Sequence, residues 1–356
     1  MGPGTRKQSL DILRGVAVLL VLGSHYPYFH AWANIGWAGV DLFFVLSGFL
    51  ISGLLFSDYQ RNGRIDVGRF WIRRAFKIYP AFYTMIAFTA LCLYLEHRPL
   101  PISLFHDSIY MGNYLSNFWD HTWSLAVEEH FYFVLPILLV GLSTLAKNKV
   151  RPFRAVPAVS IILTVVCLYL RNREFVEGAP WTSIEWPTHL RIDSLFAGVT
   201  LGYFYHFDAP GFGRTWPGWL WIGAASLMLP VVFLSLHGVF FPATFTLTFA
   251  SFSCVIVAMM DRQVSRHLTA RSLAFVGSRS YSIYLWHAVL VGLVFRFYRP
   301  TLLLFIAYLA ASVATGVLLT ALVEAPFLAL RDWWFPSKGA LGSATKEDAL
   351  DLSAKR

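Results

Sequence analysis

Long apolar runs separated by short polar stretches constrain the fold of this chain more than any other feature. A helix that spans a bilayer needs about 20 mostly apolar residues, and about ten stretches meet that rule. They cover residues 9–26, 37–57, 79–96, 125–146, 155–171, 187–206, 217–236, 241–260, 281–298 and 302–329. The pattern predicts an all-α fold, a polytopic transmembrane helical bundle.

Composition supports a surface that faces lipid. Hydrophobic residues make up 56% of the 356 residues and charged residues only 14%, whereas a soluble domain carries about 25% charged residues. The net charge is +9, but no stretch interleaves basic and aromatic residues on a soluble face. We therefore expect membrane lipids as partners and no nucleic acid.

The charges in the loops predict how the chain lies in the membrane. With the N-terminus inside, most Lys and Arg fall in inside loops, as the positive-inside rule requires. Both termini are thus expected to be cytoplasmic. The stretch 103–117 is too polar for a span and is interpreted as an external or re-entrant segment. Residues 1–334 form the predicted membrane domain, and 335–356 a disordered cytoplasmic tail.

The first span has some marks of a signal peptide. Arg6 and Lys7 precede it, but Asp11 and Arg14 lie inside its apolar segment, so we interpret it as a true helix. The three cysteines each lie in an apolar run, with no disulfide or zinc spacing. No metal site is predicted.

Two polar residues share one face of the first span. Arg14 and His25 are separated by three turns plus about 20°, or ~16 Å along a helix. Asp11 precedes Arg14 by one turn and can pair with it. One interpretation is a snorkelling Arg and an interfacial His. The other is a molecule threaded between the leaflets along this face.

Other ionisable residues lie inside or at the ends of spans. Asp41 lies near the outer end of the second span, where Ser47 and Gly48 suit close helix packing. Glu128 and Glu129 open the fourth span, and about 100° separates them, so they cannot fully share a face. Later spans add Arg191, Asp193, His287 and Glu324. Together these residues predict a polar cavity within the bundle.

A basic and aromatic segment, 69–80, follows the second span. Its spacing predicts an interfacial amphipathic helix that contacts lipid headgroups. Arg73, Arg74 and Lys77 within it would also suit phosphate groups, because guanidinium forks match phosphate oxygens. Both roles can hold together.

In combination these segments resemble the acyltransferase-3 family, whose members acylate polysaccharides, peptidoglycan, lipids and some antibiotics. The matching stretches are Leu13-Arg14-Gly15 through His25, Gly39 through Phe49, Arg73-Arg74 through Pro80, Trp123 through Tyr132, Arg191-Ile192-Asp193 and Ser282 through His287, and Glu324-Ala325-Pro326 extends them. The resemblance is to members without an added extracytoplasmic hydrolase-like domain, and it implies a bacterial inner membrane.

The resemblance carries specific residues with it. The family's Arg-ten-residues-His signature falls on Arg14 and His25, and its Arg-x-x-Arg signature on Arg74 and Lys77. Lys77 is a departure, because lysine keeps the charge but loses the bidentate fork. Acyl-coenzyme A is the expected donor, bound through Arg14, Arg73, Arg74 and Lys77.

The predicted reaction is transfer of an acetyl or other short acyl group to a hydroxyl of a sugar-type acceptor. His25 is the expected general base, because its unperturbed pKa lies near ~6.5, and Asp41 or Glu128 would orient it. Two alternatives remain open from the residues alone. Buried Arg, His and Glu also suit a proton-coupled secondary transporter, although no inverted repeat is visible. The second alternative is a flippase-like or scaffold protein with structural ion pairs.

Overall fold

The computed structural model describes residues 8–26, 28–146, 150–207, 217–260, 267–293, 299 and 301–335. Every regular element within these ranges is helical. The helices are α1 (Gln8–His25), α2 (His30–Ile35), α3 (Ala38–Asn62), α4 (Val67–Leu95), α5 (Ile102–Ser108), α6 (Thr122–Leu145), α7 (Val156–Val176), α8 (Trp181–Glu185), α9 (Thr188–Phe207), α10 (Pro217–Leu236), α11 (Ala243–Met259), α12 (Leu268–Ser278), α13 (Ser280–Leu293), α14 (Leu302–Leu319), a π-helical turn (Thr320–Glu324) and α15 (Ala325–Trp334).

An all-α membrane bundle is confirmed, and each stretch expected to span contains a helix. Six helical segments in the described ranges are long and apolar enough to cross a bilayer: Ala38–Asn62, Val67–Leu95, Thr122–Leu145, Val156–Val176, Gly218–Leu236 and Leu302–Trp334. The count of ten spans and the cytoplasmic termini stay predictions. The expected tail, apart from Phe335, lies outside the described residues.

The basic segment 69–80 differs from its prediction. It is not a separate interfacial helix but the first turns of α4, which runs unbroken from Val67 to Leu95 with Pro80 inside it. Asp66 caps this helix by accepting a hydrogen bond from the Arg69 amide at 3.1 Å. Because the helix begins at that cap, the basic side chains lie on the same rigid element as the span.

Close helix contacts set the frame around the site. α3 is the most enclosed of the six candidate spans, and it packs most extensively against α9. A Cβ at Gly48 would overlap the carbonyl oxygen of Leu195, so only glycine allows this approach. The predicted packing role of Gly48 is therefore confirmed. α1 packs in the same way on α12, where Gly15 meets the Leu273 carbonyl.

The polar stretch 103–117 folds as the short helix α5 followed by an ordered loop. The buried side chain of Asp107 organises this loop. Its oxygens accept hydrogen bonds from the amides of Phe118 and Trp119 at 3.0 and 3.1 Å and from the Thr122 hydroxyl at 2.9 Å. These bonds hold the chain where it turns into α6.

Candidate active site

α1 contributes its two polar residues to two different cavities of the bundle. Arg14 lines a cavity in the middle of the bundle, and His25 lines a second cavity at the C-terminal end of the helix. Asp11 lies 3.8 Å from Arg14, which confirms the predicted pair. The helical register thus places Arg14 and His25 on the same face of α1.

A basic cavity of about 530 Å³ lies where α3 ends and α4 begins; we call it the inner cavity. Its cationic lining residues are Arg61, Arg69, Arg73, Arg74, Lys77 and Arg331. Two carboxylates also line it, those of Asp58 and Asp66, and both accept backbone hydrogen bonds. The excess of guanidinium groups makes this cavity suited to a phosphorylated ligand.

Arg73 lies at the side of the inner cavity. Its guanidinium is 3.1 Å from an Asp332 carboxylate oxygen and also donates to the carbonyl of Phe335. Arg73 therefore ties α4 to the end of α15.

A narrower space of about 90 Å³, the middle cavity, shares Arg74 and Lys77 with the inner cavity. Arg74 donates to the Tyr132 hydroxyl at 2.6 Å, and its guanidinium carbon lies 4.1 Å from the centre of that ring. The Tyr132 hydroxyl in turn donates to Glu128 and lies 2.5 Å from the Ser47 hydroxyl. Arg74 thus holds the Glu128 carboxylate in place indirectly, through the Tyr132 hydroxyl.

Lys77 has a carboxylate partner from the far end of the chain. Its ammonium pairs with Glu324, which is buried at the π-helical turn. The other Glu324 oxygen accepts from the Ser282 hydroxyl and from Thr320 at 3.2 Å. This pairing fixes the Lys77 side chain at the boundary between the two cavities.

The outer cavity, of about 260 Å³, shares Val40 and Tyr284 with the middle cavity. Its polar lining comprises Ser24, His25, Asp120, His121, Glu185 and Tyr284, and its aromatic lining also includes Trp37, Trp123 and Trp186. None of its lining residues in the described structure is Lys or Arg. Burial raises the pKa of the Glu185 carboxyl to about 7, and burial lowers the pKa of His121 to about 3.

His25 is exposed to the outer cavity, and its orientation comes from the backbone of its own helix. Its Nδ1 lies 2.9 Å from the Val21 carbonyl oxygen and 3.3 Å from the Ser24 hydroxyl. Because a carbonyl only accepts, Nδ1 carries the hydrogen and Nε2 holds the lone pair of the neutral ring.

Neither predicted orienting carboxylate bonds to His25. Asp41 accepts from Arg191 at 2.7 Å, with both side chains buried, and Glu128 contacts Tyr132. The Arg191 guanidinium also lies 3.8 Å from the centre of the Phe245 ring. Asp41 therefore joins α3 to α9, next to the outer cavity rather than in it.

A second buried ion pair, Arg171 with Asp193 at 2.7 Å, joins α7 to α9. Arg171 also donates to the Leu190 carbonyl at 3.0 Å and to the Thr246 hydroxyl at 3.0 Å. Buried charges of this kind stay ionised only when paired and hydrogen-bonded. The predicted ring of ionisable groups thus divides into helix-joining pairs and cavity-lining residues.

Sequence reasoning missed residues at the boundary between the middle and outer cavities. The Tyr284 hydroxyl donates to the His121 carbonyl at 2.9 Å and lies 2.5 Å from the Ser124 hydroxyl, at the boundary of the middle and outer cavities. Asp120 and Glu185 were missed as well. For Asp120 and Ser124 the available signal was the polar run 120–124 directly before an apolar span, and for Tyr284 it was the motif from Ser282 to His287.

Among the residues that the structure describes, no group of three or more His, Cys, Asp or Glu side chains has an arrangement suited to a metal ion.

Apolar helices that enclose a series of polar cavities define a multi-pass membrane protein with a charged internal site. The sequence profile of the acyltransferase-3 family, described as an acyltransferase domain, matches residues 7–321. The chain belongs to this family, as its motifs predicted.

Similar proteins of known sequence carry related names. The chain is 28% identical to peptidoglycan O-acetyltransferase OatA of Listeria monocytogenes, over 89% of this chain and 55% of that one. It is 29% identical to the putative peptidoglycan O-acetyltransferase YrhL of Bacillus subtilis, over 78% of this chain and 47% of that one. A putative O-acetyltransferase of Staphylococcus aureus is 28% identical over 81% of this chain and 51% of its own. The chain thus spans about half the length of these relatives. No solved structure matches it.

Proposed function

We propose that this protein is a membrane O-acetyltransferase that moves an acetyl or other short acyl group from acyl-coenzyme A to a sugar-type hydroxyl. The observation that carries the proposal is that the three cavities are neighbours with lining residues in common. The inner and middle cavities share Arg74 and Lys77, and the middle and outer cavities share Val40 and Tyr284. A series of neighbouring cavities thus extends from the basic pocket to His25.

The inner cavity is the proposed donor site. Its six cationic side chains suit the phosphates of coenzyme A, and its volume of about 530 Å³ lies in the range of small-molecule pockets. Arg74 and Lys77 stand at its inner boundary, and Arg73 at its side. The nucleotide would stay here, because the middle cavity holds only about 90 Å³.

The middle cavity is the proposed channel for the pantetheine arm. Arg14 contributes a charge to its lining, and Phe43, Phe44 and Leu46 contribute apolar surface. A slender chain that enters past Arg74 would bring its thioester towards the boundary at Tyr284. Only the acyl end then has to reach the outer cavity, over the ~16 Å that separates Arg14 from His25 on a helix.

His25 is the proposed general base. The Nε2 lone pair takes the proton of the acceptor hydroxyl, whose oxygen then bonds to the acyl carbon. The thioester carbon–sulfur bond breaks, and the leaving thiolate takes the proton from His25. The Val21 carbonyl holds the tautomer that this step needs. Asp41 and Glu128, at first expected beside this base, are proposed to shape the cavities through Arg191 and Tyr132.

The outer cavity is the proposed acceptor site. Its tryptophans offer flat apolar faces, and Asp120 and Glu185 offer hydrogen-bond acceptors for sugar hydroxyls. The acidic lining disfavours an anionic acceptor. The names of the relatives mention peptidoglycan, so a cell-envelope glycan is the proposed acceptor. We place the protein in the bacterial inner membrane, with both termini and the donor site cytoplasmic.

Purified protein in sealed vesicles tests the proposal. Radiolabelled acetyl-coenzyme A is added outside, and an N-acetylglucosamine oligosaccharide is trapped inside. We expect labelled oligosaccharide inside the vesicles, and none with empty vesicles. Uptake of label without acylation would instead indicate a transporter, and the absence of both would contradict the proposal for this acceptor class.

A further inference from the structure

His287 of α13 is a buried polar residue that the proposed chemistry does not use. Its ring is fully buried, its Nδ1 bonds to the Tyr284 carbonyl, and its Nε2 has no partner in the described structure. A buried polar atom without a partner costs free energy relative to an apolar side chain of similar shape. A role at Nε2 would account for a histidine at this position.

The ring of His287 lies between two other imidazoles. The centroids of His25 and His287 are 4.8 Å apart, with the rings at 81° to each other. The centroids of His121 and His287 are 5.2 Å apart, with the rings at 74°. His25 and His121 line the outer cavity, and His287 lies behind them.

Main-chain carbonyls fix the tautomers of all three rings. The Val21 carbonyl accepts from His25 Nδ1 at 2.9 Å. The Leu285 carbonyl accepts from His121 Nε2 at 3.1 Å, and the Tyr284 carbonyl accepts from His287 Nδ1. A neutral imidazole has one N–H, so the second nitrogen of each ring is a lone pair. The buried lone pairs of His121 and His287 have no donor among the described residues.

We propose that His287 is a positioning residue for His25. It holds the His25 ring with Nε2 towards the outer cavity, and its own lone pair stabilises the imidazolium that His25 becomes. This inference rests on the proposed function, in which His25 takes the acceptor proton and returns it to the leaving thiolate. The unprotonated nitrogen is the negative end of the imidazole dipole, so it favours a cation on the adjoining ring. Asp120, on the wall of the same cavity, adds to this effect.

Two substitutions separate the lone pair from the rest of the ring. In His287→Asn the amide can still donate to the Tyr284 carbonyl, but the atom at Nε2 is lost. In His287→Gln the side-chain amide reaches the position of Nε2 and can accept there. A role in packing alone predicts similar losses for both, whereas the proposed role predicts that Gln rescues and Asn does not.

The control is His237→Asn. His237 is exposed in the turn that follows α10, and its Nδ1 donates to the Phe233 carbonyl at 2.7 Å, so the substitution makes the same change of side chain away from the three clustered histidines. Turnover of acetyl-coenzyme A with the N-acetylglucosamine oligosaccharide gives the first readout. We expect kcat to fall about tenfold or more in His287→Asn, the scale of one charge-assisted contact. The KM for acetyl-coenzyme A should be unchanged, and His287→Gln should stay within about threefold of wild type. His287→Leu serves as a second variant without the nitrogen if the Asn variant does not fold.

A second readout does not depend on acyl transfer. Diethyl pyrocarbonate carbethoxylates unprotonated imidazole nitrogens, and peptide mass spectrometry gives the rate at His25 alone. That rate should change by about threefold or more in His287→Asn and stay near wild type in His287→Gln and His237→Asn. If wild type shows no turnover, the proposed function fails and this rate alone decides the role of His287. Equal His25 rates in the Asn and Gln variants, or equal losses of kcat, would overturn the inference.

Discussion

Replacing Arg74 by alanine tests the donor site most sharply, because this residue borders both the inner and the middle cavity. Its guanidinium is already ordered, stacked 4.1 Å from the centre of the Tyr132 ring and bonded to that hydroxyl at 2.6 Å. A phosphate would therefore meet a donor that needs little further ordering. A charge-assisted hydrogen bond contributes about 1.5–3 kcal/mol. Affinity for acetyl-coenzyme A should thus fall roughly ten- to 150-fold.

The assay is equilibrium dialysis of radiolabelled acetyl-coenzyme A against detergent-purified protein. Tyr132→Phe is the matched control, because it removes the hydroxyl bond but keeps the ring beneath the guanidinium. It should leave donor affinity within about threefold, because the guanidinium and the ring on which it stacks are both kept. Lys77→Arg, which restores the family's residue and keeps the charge opposite Glu324, should be tolerated.

If Arg74→Ala binds acetyl-coenzyme A like wild type, the inner cavity is not the donor site proposed here. The basic start of α4 would then serve only topology and lipid headgroups. A drop of equal size in Tyr132→Phe would show instead that the Arg74–Tyr132–Glu128 network is structural.

Two further predictions concern topology and packing. In a chain whose native cysteines are replaced by serine, a cysteine placed within 147–154 should be protected from an impermeant thiol reagent in intact cells, and one within 172–185 should react; the reverse pattern would invert the orientation. Gly48→Ala should destabilise the protein by about 1–3 kcal/mol, because its methyl group would overlap a carbonyl of α9. Gly141→Ala is the control: nothing lies within 4 Å of its Cβ position, so it should stabilise the helix by about 0.5–1 kcal/mol. Thermal unfolding in detergent measures both, and equal effects would show that the α3–α9 contact is not close.

Much of the fold follows from the sequence because bilayer thickness sets helix length. Within the described residues each apolar run contains a helix that begins near the expected position, except at the start of α4. There the polar residues suggested a separate element, but the Asp66 cap and the tolerated Pro80 allow one helix of 29 residues. The register of Arg14 and His25 on α1 was also predictable, because it depends on helical geometry alone.

The partners of the charged residues did not follow from the sequence. Helical periodicity gives the face on which Asp41 lies, but not which helix stands opposite it. Its partner Arg191 is 150 positions away, and the partner of Lys77, Glu324, is 247 positions away. The nearby candidate for Asp41 was His25, whose ring instead bonds to its own helix backbone. Long-range pairing depends on how the helices are arranged, and one sequence does not encode this visibly.

The cavities themselves were predictable only in outline. Buried ionisable residues indicated a polar interior, but not its division into a basic and an acidic part. His121 and Glu185 gave little signal because each lies in a short polar stretch outside the apolar spans. Their importance comes from the segments between the spans, the turn before α6 and the short helix α8, which bring them to the outer cavity that His25 also lines.

The proposed reaction requires His25 to remove the acceptor proton in the outer cavity. The decisive experiment compares the turnover and the acetyl-coenzyme A affinity of purified His25→Ala with those of wild type. Turnover should fall at least ~10²-fold, while donor affinity and thermal stability stay near wild type, because the ring lines the outer cavity and not the inner one. Near-normal turnover, or loss of donor binding in a folded variant, would show that His25 is not the general base proposed here.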